Sequence, residues 1–319
     1  MTVPTIAVIG AGAWGTALAC AQAQAGANVI LWMRNPVPPD VRRLPRLPDV
    51  ELPGNITVTG DLPTNADLTL IAVPLQTLRS VATRLSGTSP LVVCCKGVET
   101  GTGDLPLDIL TEILPDRPRG VFSGPNFAIE VARGLPAAAT IAAETLDAAQ
   151  QYASLLSTPT LRLYASDDPL GVQIAGAAKN VIAIGAGIAI GAGLGENARA
   201  ALITRAIVEI GRLSAAMGGR AATISGLSGL GDLILTCTGR GSRNYSLGLA
   251  LGEGERLEDI LSHRSTVAEG VATAPALLAL ARRYGVTMPI VETVTALLAG
   301  RFDPSTARNL LLDRPPATE

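Results

Sequence analysis

Along the first half of the chain, apolar positions come as short runs rich in Val, Ile, Leu and Ala at residues 6–9, 28–33, 55–59, 68–73, 91–95, 120–122, 137–142 and 160–164. The first of them, residues 6–9, is a continuous apolar run with the composition of a strand buried on both faces of a sheet, and the others read as further strands. Between several of them the apolar spacing changes to that of helices, at 16–25, 75–85 and 105–114, with a further helix between the last two strands. Strand–helix alternation predicts an α/β fold with a doubly wound, mainly parallel sheet. One crossover is an exception. Pro36, Pro38, Pro39, Pro45, Pro48 and Pro53 crowd the segment after the second strand, and that density forbids a regular helix. The alternation stops near Ser166. From Asp167 onward the pattern is helix after helix with glycine-rich joints, which predicts two domains, 1–166 and 167–319.

One stretch of the second half is apolar enough to raise the question of a membrane span. Residues 170–195 contain Gly185, Gly187, Gly191 and Gly193 among Ala and Ile. A span needs roughly 20 apolar residues with few charges. Here Lys179 and Asn180 interrupt the run, the uncharged part that follows falls short, and no basic flank anchors it. The prediction is a buried helix at the centre of the second domain and no membrane span. Residues 202–217 then read as an amphipathic helix, another helix runs to Leu251 and stops at Gly252, and the last helical part begins at 267–270.

Three places in this pattern carry chemistry. Gly10, Gly12 and Gly15 stand in G-x-G-x-x-G spacing between the first strand and the first helix. In a dinucleotide-binding turn the first glycine allows the tight bend, the second lets backbone approach a pyrophosphate, and the third lets helix and strand pack closely. The helix N-terminus adds free N–H groups and dipole. A purely structural glycine turn is the competing account. Arg34 ends the second strand, where an acid would meet the ribose 2′-OH of NAD and an arginine suits the 2′-phosphate of NADP; a solvated arginine at a strand end is the alternative. Lys96 directly follows a strand, and strand carboxyl ends line the ligand crevice of such sheets. Lys179 sits in the apolar helix among Ala175, Gly176, Ala178, Ile182 and Ala183, with no acid nearby in sequence. Finally, the stretch 238–244 places glycines, Ser242, Arg243 and Asn244 at a helix start, which is either an anion site or an ordinary cap.

Composition narrows the possibilities. A chain of 319 residues is long enough for two cores, and 48% hydrophobic with 3% aromatic makes those cores aliphatic. A net charge of −2 gives no general attraction to nucleic acid or to an anionic membrane. Cys20, Cys94, Cys95 and Cys237 have no framework spacing and read as reduced thiols of a cytoplasmic protein, with Cys94 and Cys95 pointing to opposite faces of a strand. His263 is the single histidine, so no transition-metal site is expected. No basic segment precedes an apolar one at the N-terminus, so no signal peptide is expected.

With these residues in view, the chain resembles the bacterial NAD(P)-dependent glycerol-3-phosphate dehydrogenases nearly end to end. The shared motifs are G-A-G-A-W-G-T-A-L from Gly10, C-K-G-V-E from Cys95, S-G-P-N-F-A from Ser123, A-A-K-N from Ala177, L-G-D from Leu230, G-R-G-S-R-N from Gly239 and V-A-E-G from Val267. The resemblance implies a Rossmann-type domain followed by an all-helical domain like that of 6-phosphogluconate dehydrogenase. It implies Lys179 as the catalytic lysine, and Lys96, Gly124, Asn126, Asp232, Ser242, Arg243 and Asn244 as substrate contacts. Cofactor contacts carried over are Ala13, Trp14, Arg34, Lys96, Ala128, Arg243, Val267 and Glu269, beside Gly10, Gly12 and Gly15. Two features depart from the family pattern, both on the adenosine side. The segment after Arg34 is shorter and richer in proline, and Arg46 stands where an aromatic residue is common.

The implied reaction is reversible reduction of dihydroxyacetone phosphate to sn-glycerol 3-phosphate for phospholipid synthesis. NADP(H) is preferred over NAD(H), no metal takes part, and a homodimer is expected. With no histidine in any motif, Lys179 is the candidate proton donor. Burial would lower its pKa and a nearby Asp232 would raise it; sequence leaves the balance open, as it does whether Asp232 orients the lysine or holds a substrate hydroxyl. A sister reductase acting on hydroxyacids or ketopantoate shares the architecture but is not expected to combine G-R-G-S-R-N with S-G-P-N-F-A. A dinucleotide sensor would not need a buried lysine beside a second anion site.

Overall fold

The computed structural model describes residues 3–239, 241–263, 268–302 and 306. Eight strands form one sheet: β1 Thr5–Ile9, β2 Asn28–Trp32, β3 Ile56–Thr59, β4 Leu68–Ile71, β5 Leu91–Val93, β6 Arg119–Ser123, β7 Ala137–Ala143 and β8 Leu161–Ser166. Their spatial order is β3-β2-β1-β4-β5-β6-β7-β8. The first six are mutually parallel, whereas β7 runs antiparallel to β6 and parallel to β8. This is the expected doubly wound sheet with one reversal. At the reversal the connection from β6 to β7 carries only the five-residue helix α4, Ala128–Ala132.

Helices cover both faces. α1 Ala13–Gln24 and α5 Leu146–Leu156 pack on one side together with α4, and α2 Leu75–Ala82 and α3 Pro106–Ile113 on the other. The proline-rich crossover contains no helix, as its composition dictates; instead Leu44, Leu47, Val50 and Leu52 turn inward onto the α1 side. Cys94 packs into the core on that side and Cys95 into the core on the other. All four cysteines are free and buried.

From Pro169 the chain is helical among the described residues: α6 Pro169–Gly191, α7 Gly195–Ala216, α8 Ala221–Ile224, a π-helical turn Leu227–Gly231, α9 Asp232–Thr238, α10 Arg243–Gly252, α11 Leu257–Ser262, α12 Glu269–Arg283 and α13 Pro289–Leu298. Two stretches, Pro169–Gly191 and Ala221–Thr238, are long and apolar enough to cross a membrane, but the first is 89% buried within the molecule. The reason α6 is rich in glycine is its partner. A Cβ at Gly187 would lie 2.2 Å from the Tyr245 carbonyl oxygen, and one at Gly248 would lie 2.0 Å from that of Ile184. α6 and α10 therefore meet backbone to backbone, through glycines on both helices. That seam runs from Asn180 and Asn244 at one end to Gly191 and Gly252 at the other, so it fixes the start of α10 beside Lys179.

Candidate active site

The carboxyl ends of the parallel strands make one side of the site. Ile9, Ile71, Val93 and Val121 stand in register across β1, β4, β5 and β6. The glycine turn, Val73-Pro74, Cys95-Lys96 and Ser123-Gly124 therefore lie along one edge of the sheet. Each glycine of the turn has a distinct environment. Gly10 has φ +113°, a conformation open to glycine, and a Cβ there would sit 2.9 Å from the Ala72 carbonyl oxygen. A Cβ at Gly15 would sit 1.8 Å from the Gly10 carbonyl oxygen, so helix and turn are in direct backbone contact. A Cβ at Gly12 would meet nothing within 4 Å. Gly12 also precedes α1 without any side-chain cap, leaving the first N–H groups of the helix facing that open space. A pyrophosphate fits this cradle, and of the three glycines only Gly12 borders open space. Trp14 packs against Phe122 beneath it, ring centroids 5.7 Å apart.

α6, α9 and α10 make the other side. The Lys179 ammonium donates to Asp232 Oδ1 at 2.5 Å and to Thr236 Oγ1 at 3.3 Å. Lys96, from the sheet edge, donates to Asp232 Oδ2 at 2.6 Å. Asp232 is 1% exposed, so one carboxylate, withdrawn from water, holds two ammoniums from opposite lobes. Burial works to raise its pKa, but Lys179 and Lys96 outweigh burial and hold it below the usual carboxylate value. For Lys179 burial dominates. It lowers the pKa to about 8 against the pull of Asp232, with Lys96 adding to the depression. Thus the balance that sequence leaves open is settled in favour of desolvation. The Cys237 thiol nearby is pushed up to about 12 by burial and stays uncharged.

Asn180, next to Lys179, accepts from Asn244 Nδ2 at 3.0 Å, and Asn244 Oδ1 accepts from the Gly270 N–H at 3.0 Å. The start of α10 is thereby tied to the lysine and to the start of α12. Ser242 caps α10, its Oγ accepting from Tyr245 N at 3.2 Å. Arg243 follows on the exposed side. Withdrawal from water raises the pKa of Glu269 at the head of α12, while Arg243, Lys179 and Lys96 all act to lower it, so these charges share one neighbourhood. On the sheet side, a Cβ at Gly124 would lie 2.7 Å from Ala139 Cα. Asn126 donates to the Ala138 carbonyl oxygen at 3.2 Å, and its buried Oδ1 has no hydrogen-bond partner among the described residues. Ala128 opens α4. Arg34 is exposed just past β2. Val267 and Arg240 lie outside the described residues. Among the described residues no group of three or more His, Cys, Asp or Glu side chains could hold a metal.

Two participants are absent from the sequence-level set. Thr236 lies four residues after Asp232 on α9, and its hydroxyl donates to the Asp232 carbonyl oxygen at 2.6 Å while accepting from Lys179. The i, i+4 spacing in D-L-I-L-T was the available signal. Asn180 adjoined a residue already singled out, but its link to Asn244 crosses 64 residues.

The geometry can be set against known proteins. Residues 5–149 match the N-terminal family and residues 168–309 the C-terminal family of NAD-dependent glycerol-3-phosphate dehydrogenase. The chain belongs to this family. Among the similar members is the glycerol-3-phosphate dehydrogenase (NAD(P)+) of Gluconobacter oxydans, 67% identical over all of this chain and 99% of its relative. That of Acidiphilium cryptum is 54% identical over 98% of this chain and 97% of its relative. A crystal structure of glycerol-3-phosphate dehydrogenase from Coxiella burnetii superposes with a TM-score of 0.91 at 35% identity, covering 98% of this chain and 99% of that one. As a member of this family of oxidoreductases, the chain uses a nicotinamide cofactor.

Proposed function

We propose that the chain reduces dihydroxyacetone phosphate reversibly to sn-glycerol 3-phosphate. We assign cofactor binding mainly to residues 1–166 and substrate chemistry mainly to 167–319. The observation that carries the reading is the buried Lys96–Asp232–Lys179 cluster, with contacts of 2.6 and 2.5 Å, at the strand ends beside the glycine turn. A bound nicotinamide supplies the hydride. As the ketone carbon is reduced, negative charge builds on its oxygen, and Lys179 Nζ is the group we assign to deliver the proton there. An amine with a pKa of about 8 is protonated at neutrality yet gives its proton up readily. Asp232 and Thr236 aim that amine, because both accept from it. The substrate phosphate is assigned to the start of α10, where Ser242, Arg243 and Asn244 combine a charged fork with free N–H groups. Gly124 and Asn126 border the substrate from the sheet side, and Lys96 closes it from β5.

Gly10, Gly12, Ala13, Trp14 and Gly15 are assigned to the pyrophosphate, with Ala128, Val267 and Glu269 as further cofactor contacts. Arg34 favours NADP(H) through the 2′-phosphate. The protein is assigned to the cytoplasm, and the small-residue helical domain to homodimer formation. The deciding experiment mixes the protein with NADPH and dihydroxyacetone phosphate and follows nicotinamide absorbance. Loss of absorbance that depends on the phosphorylated ketone supports the reading. No loss with either reduced cofactor overturns it.

A further inference from the structure

Lys96 is the one residue of the cluster that arrives on a loop. The loop, residues 97–104, has three glycines with positive φ, at +140°, +95° and +80° for Gly97, Gly101 and Gly103. Such a backbone does not hold a lysine in place by itself. Beyond the bond to Asp232 and the buried neighbours Cys95 and Val98, the loop is braced by α2. The Glu99 side chain is about one-tenth exposed and receives Arg79 Nε at 3.0 Å and Nη2 at 2.9 Å, with Thr102 Oγ1 donating at 2.7 Å. The same guanidinium reaches Asp104 at 3.0 Å, so one arginine grips both ends of the turn. Gln76, one helical turn before Arg79, donates to the Val98 carbonyl oxygen and accepts from Thr100 N, both at 3.0 Å. From the other lobe, Arg283 donates to the Thr102 carbonyl oxygen at 3.0 Å.

We propose that Arg79 and Glu99 form a latch that positions Lys96 against Asp232, and so set substrate affinity without touching substrate. The inference rests on the assignment of Lys96 as a substrate contact. Its physical basis is geometric. A bidentate arginine–carboxylate pair has a defined orientation that a single contact lacks, and the pair lies three residues from Lys96 on an otherwise glycine-rich loop. Arg79 also contacts Glu112 on α3 at 2.7 Å. That contact is shorter than either bond to Glu99 but does not involve the loop, which makes it a built-in control.

The test is a double-mutant cycle. Glu99→Gln keeps shape and removes the charge. It is expected to lower kcat/KM for dihydroxyacetone phosphate roughly 10-fold, mainly through KM, since small misplacements at a site can cost up to about 100-fold. Glu112→Gln is expected to change it less than about 2-fold. In a Lys96→Ala background, Glu99→Gln should add less than about 2-fold, because the latch then has nothing to position. Where turnover of Lys96→Ala is too slow to resolve a second loss, the same cycle is read on the Kd for glycerol 3-phosphate. Melting curves of each variant separate unfolding from misplacement. An equal loss from Glu99→Gln in both backgrounds overturns the latch and leaves the Lys96 assignment standing. Near-normal KM and Kd in Lys96→Ala overturn both.

Discussion

At the end of β1, Gly10, Gly12 and Gly15 shape the cradle assigned to the pyrophosphate from six consecutive residues. A few strands along the same sheet edge, the charged cluster draws Lys96 from the β5 loop, Lys179 from α6 and Asp232 from α9, partners separated by 136 and 53 residues. The cradle is local. Its shape follows from the positive φ of Gly10 and from the close backbone contact between Gly15 and Gly10, both inside the turn itself, so it forms wherever strand and helix form. The cluster exists only once two lobes have packed. Local sites tolerate errors elsewhere in the fold, whereas a cluster built across a core depends on every helix contact that brings its members together. The two regions should therefore fail in different ways.

The largest expected effect lies on the cluster. Lys179→Ala should lower turnover by about 10²- to 10⁴-fold, the usual worth of a positioned general acid, while leaving the Kd for NADPH within about 2-fold. Turnover near that of the parent would remove Lys179 from the proton-donor role. On the cradle, Gly15→Ala and Gly12→Ala should diverge. The first drives a methyl group into the Gly10 carbonyl, 1.8 Å away on ideal geometry, and should cost up to about 3 kcal/mol of stability, read as a lowered Tm. The second enters open space and should leave Tm almost unchanged while weakening NADPH binding. Matching Tm losses for the two would mean that Gly12 is structural rather than a cofactor contact.

Asp232→Asn probes how the cluster sets its own pH range. With Lys179 assigned as the proton donor, its acid form is the one that serves ketone reduction, and on that assignment the reductive rate should fall as pH rises through about 8. Burial favours the neutral amine and Asp232 favours the ammonium. Removing the carboxylate charge therefore leaves burial less opposed, and the midpoint must move to lower pH. Loss of the aiming contact should also cost on the order of 10-fold in turnover at pH 7, within the range for misplaced catalytic groups. A pH–rate profile with an unmoved midpoint would separate Asp232 from the titration of Lys179.

How much of this was legible in the sequence follows the same division. Strand runs and helix spacing placed β1 to β8 and α6 within a few residues: burial on both faces gives β1, β4 and β5 a plain apolar signature, and the edge strand β8 alternates buried and exposed positions along residues 161–164. The absence of a helix between β2 and β3 was legible from six prolines. The reversal of β7 was not, since the apolar pattern of a strand is the same whichever way it runs. Lys179 stood out as a charge in an apolar helix, but its acidic partner lies 53 residues away and no periodicity links them. Asp232 entered through family resemblance. The sign of the Lys179 shift was likewise out of reach, because it depends on how completely three packed helices exclude water. Thr236 and Asn180 were missed because their roles consist of contacts to residues distant in sequence.

The smallest expected effect is on the adenosine side, and it tests whether the cradle region carries specificity as well as binding. Arg34 is exposed at the end of β2, so any contact it makes to a 2′-phosphate is partly screened by water. Exposed ion pairs contribute up to about 1 kcal/mol, close to fivefold in affinity. Arg34→Asp replaces that attraction with repulsion and offers a carboxylate to the ribose 2′-OH, so both terms push toward NADH. The ratio of kcat/KM for NADPH over NADH should fall roughly 5- to 10-fold, with turnover at saturating cofactor and Tm unchanged. A ratio that holds would move the 2′-phosphate contact away from Arg34. The neighbouring proline-rich segment offers Arg43 as the next candidate to substitute, since its guanidinium is exposed and paired with Glu51 at 3.3 Å. Arg42, by contrast, is spent on the carbonyl oxygens of Leu52, Pro53 and Ile56, so its replacement should lower Tm without changing the cofactor ratio.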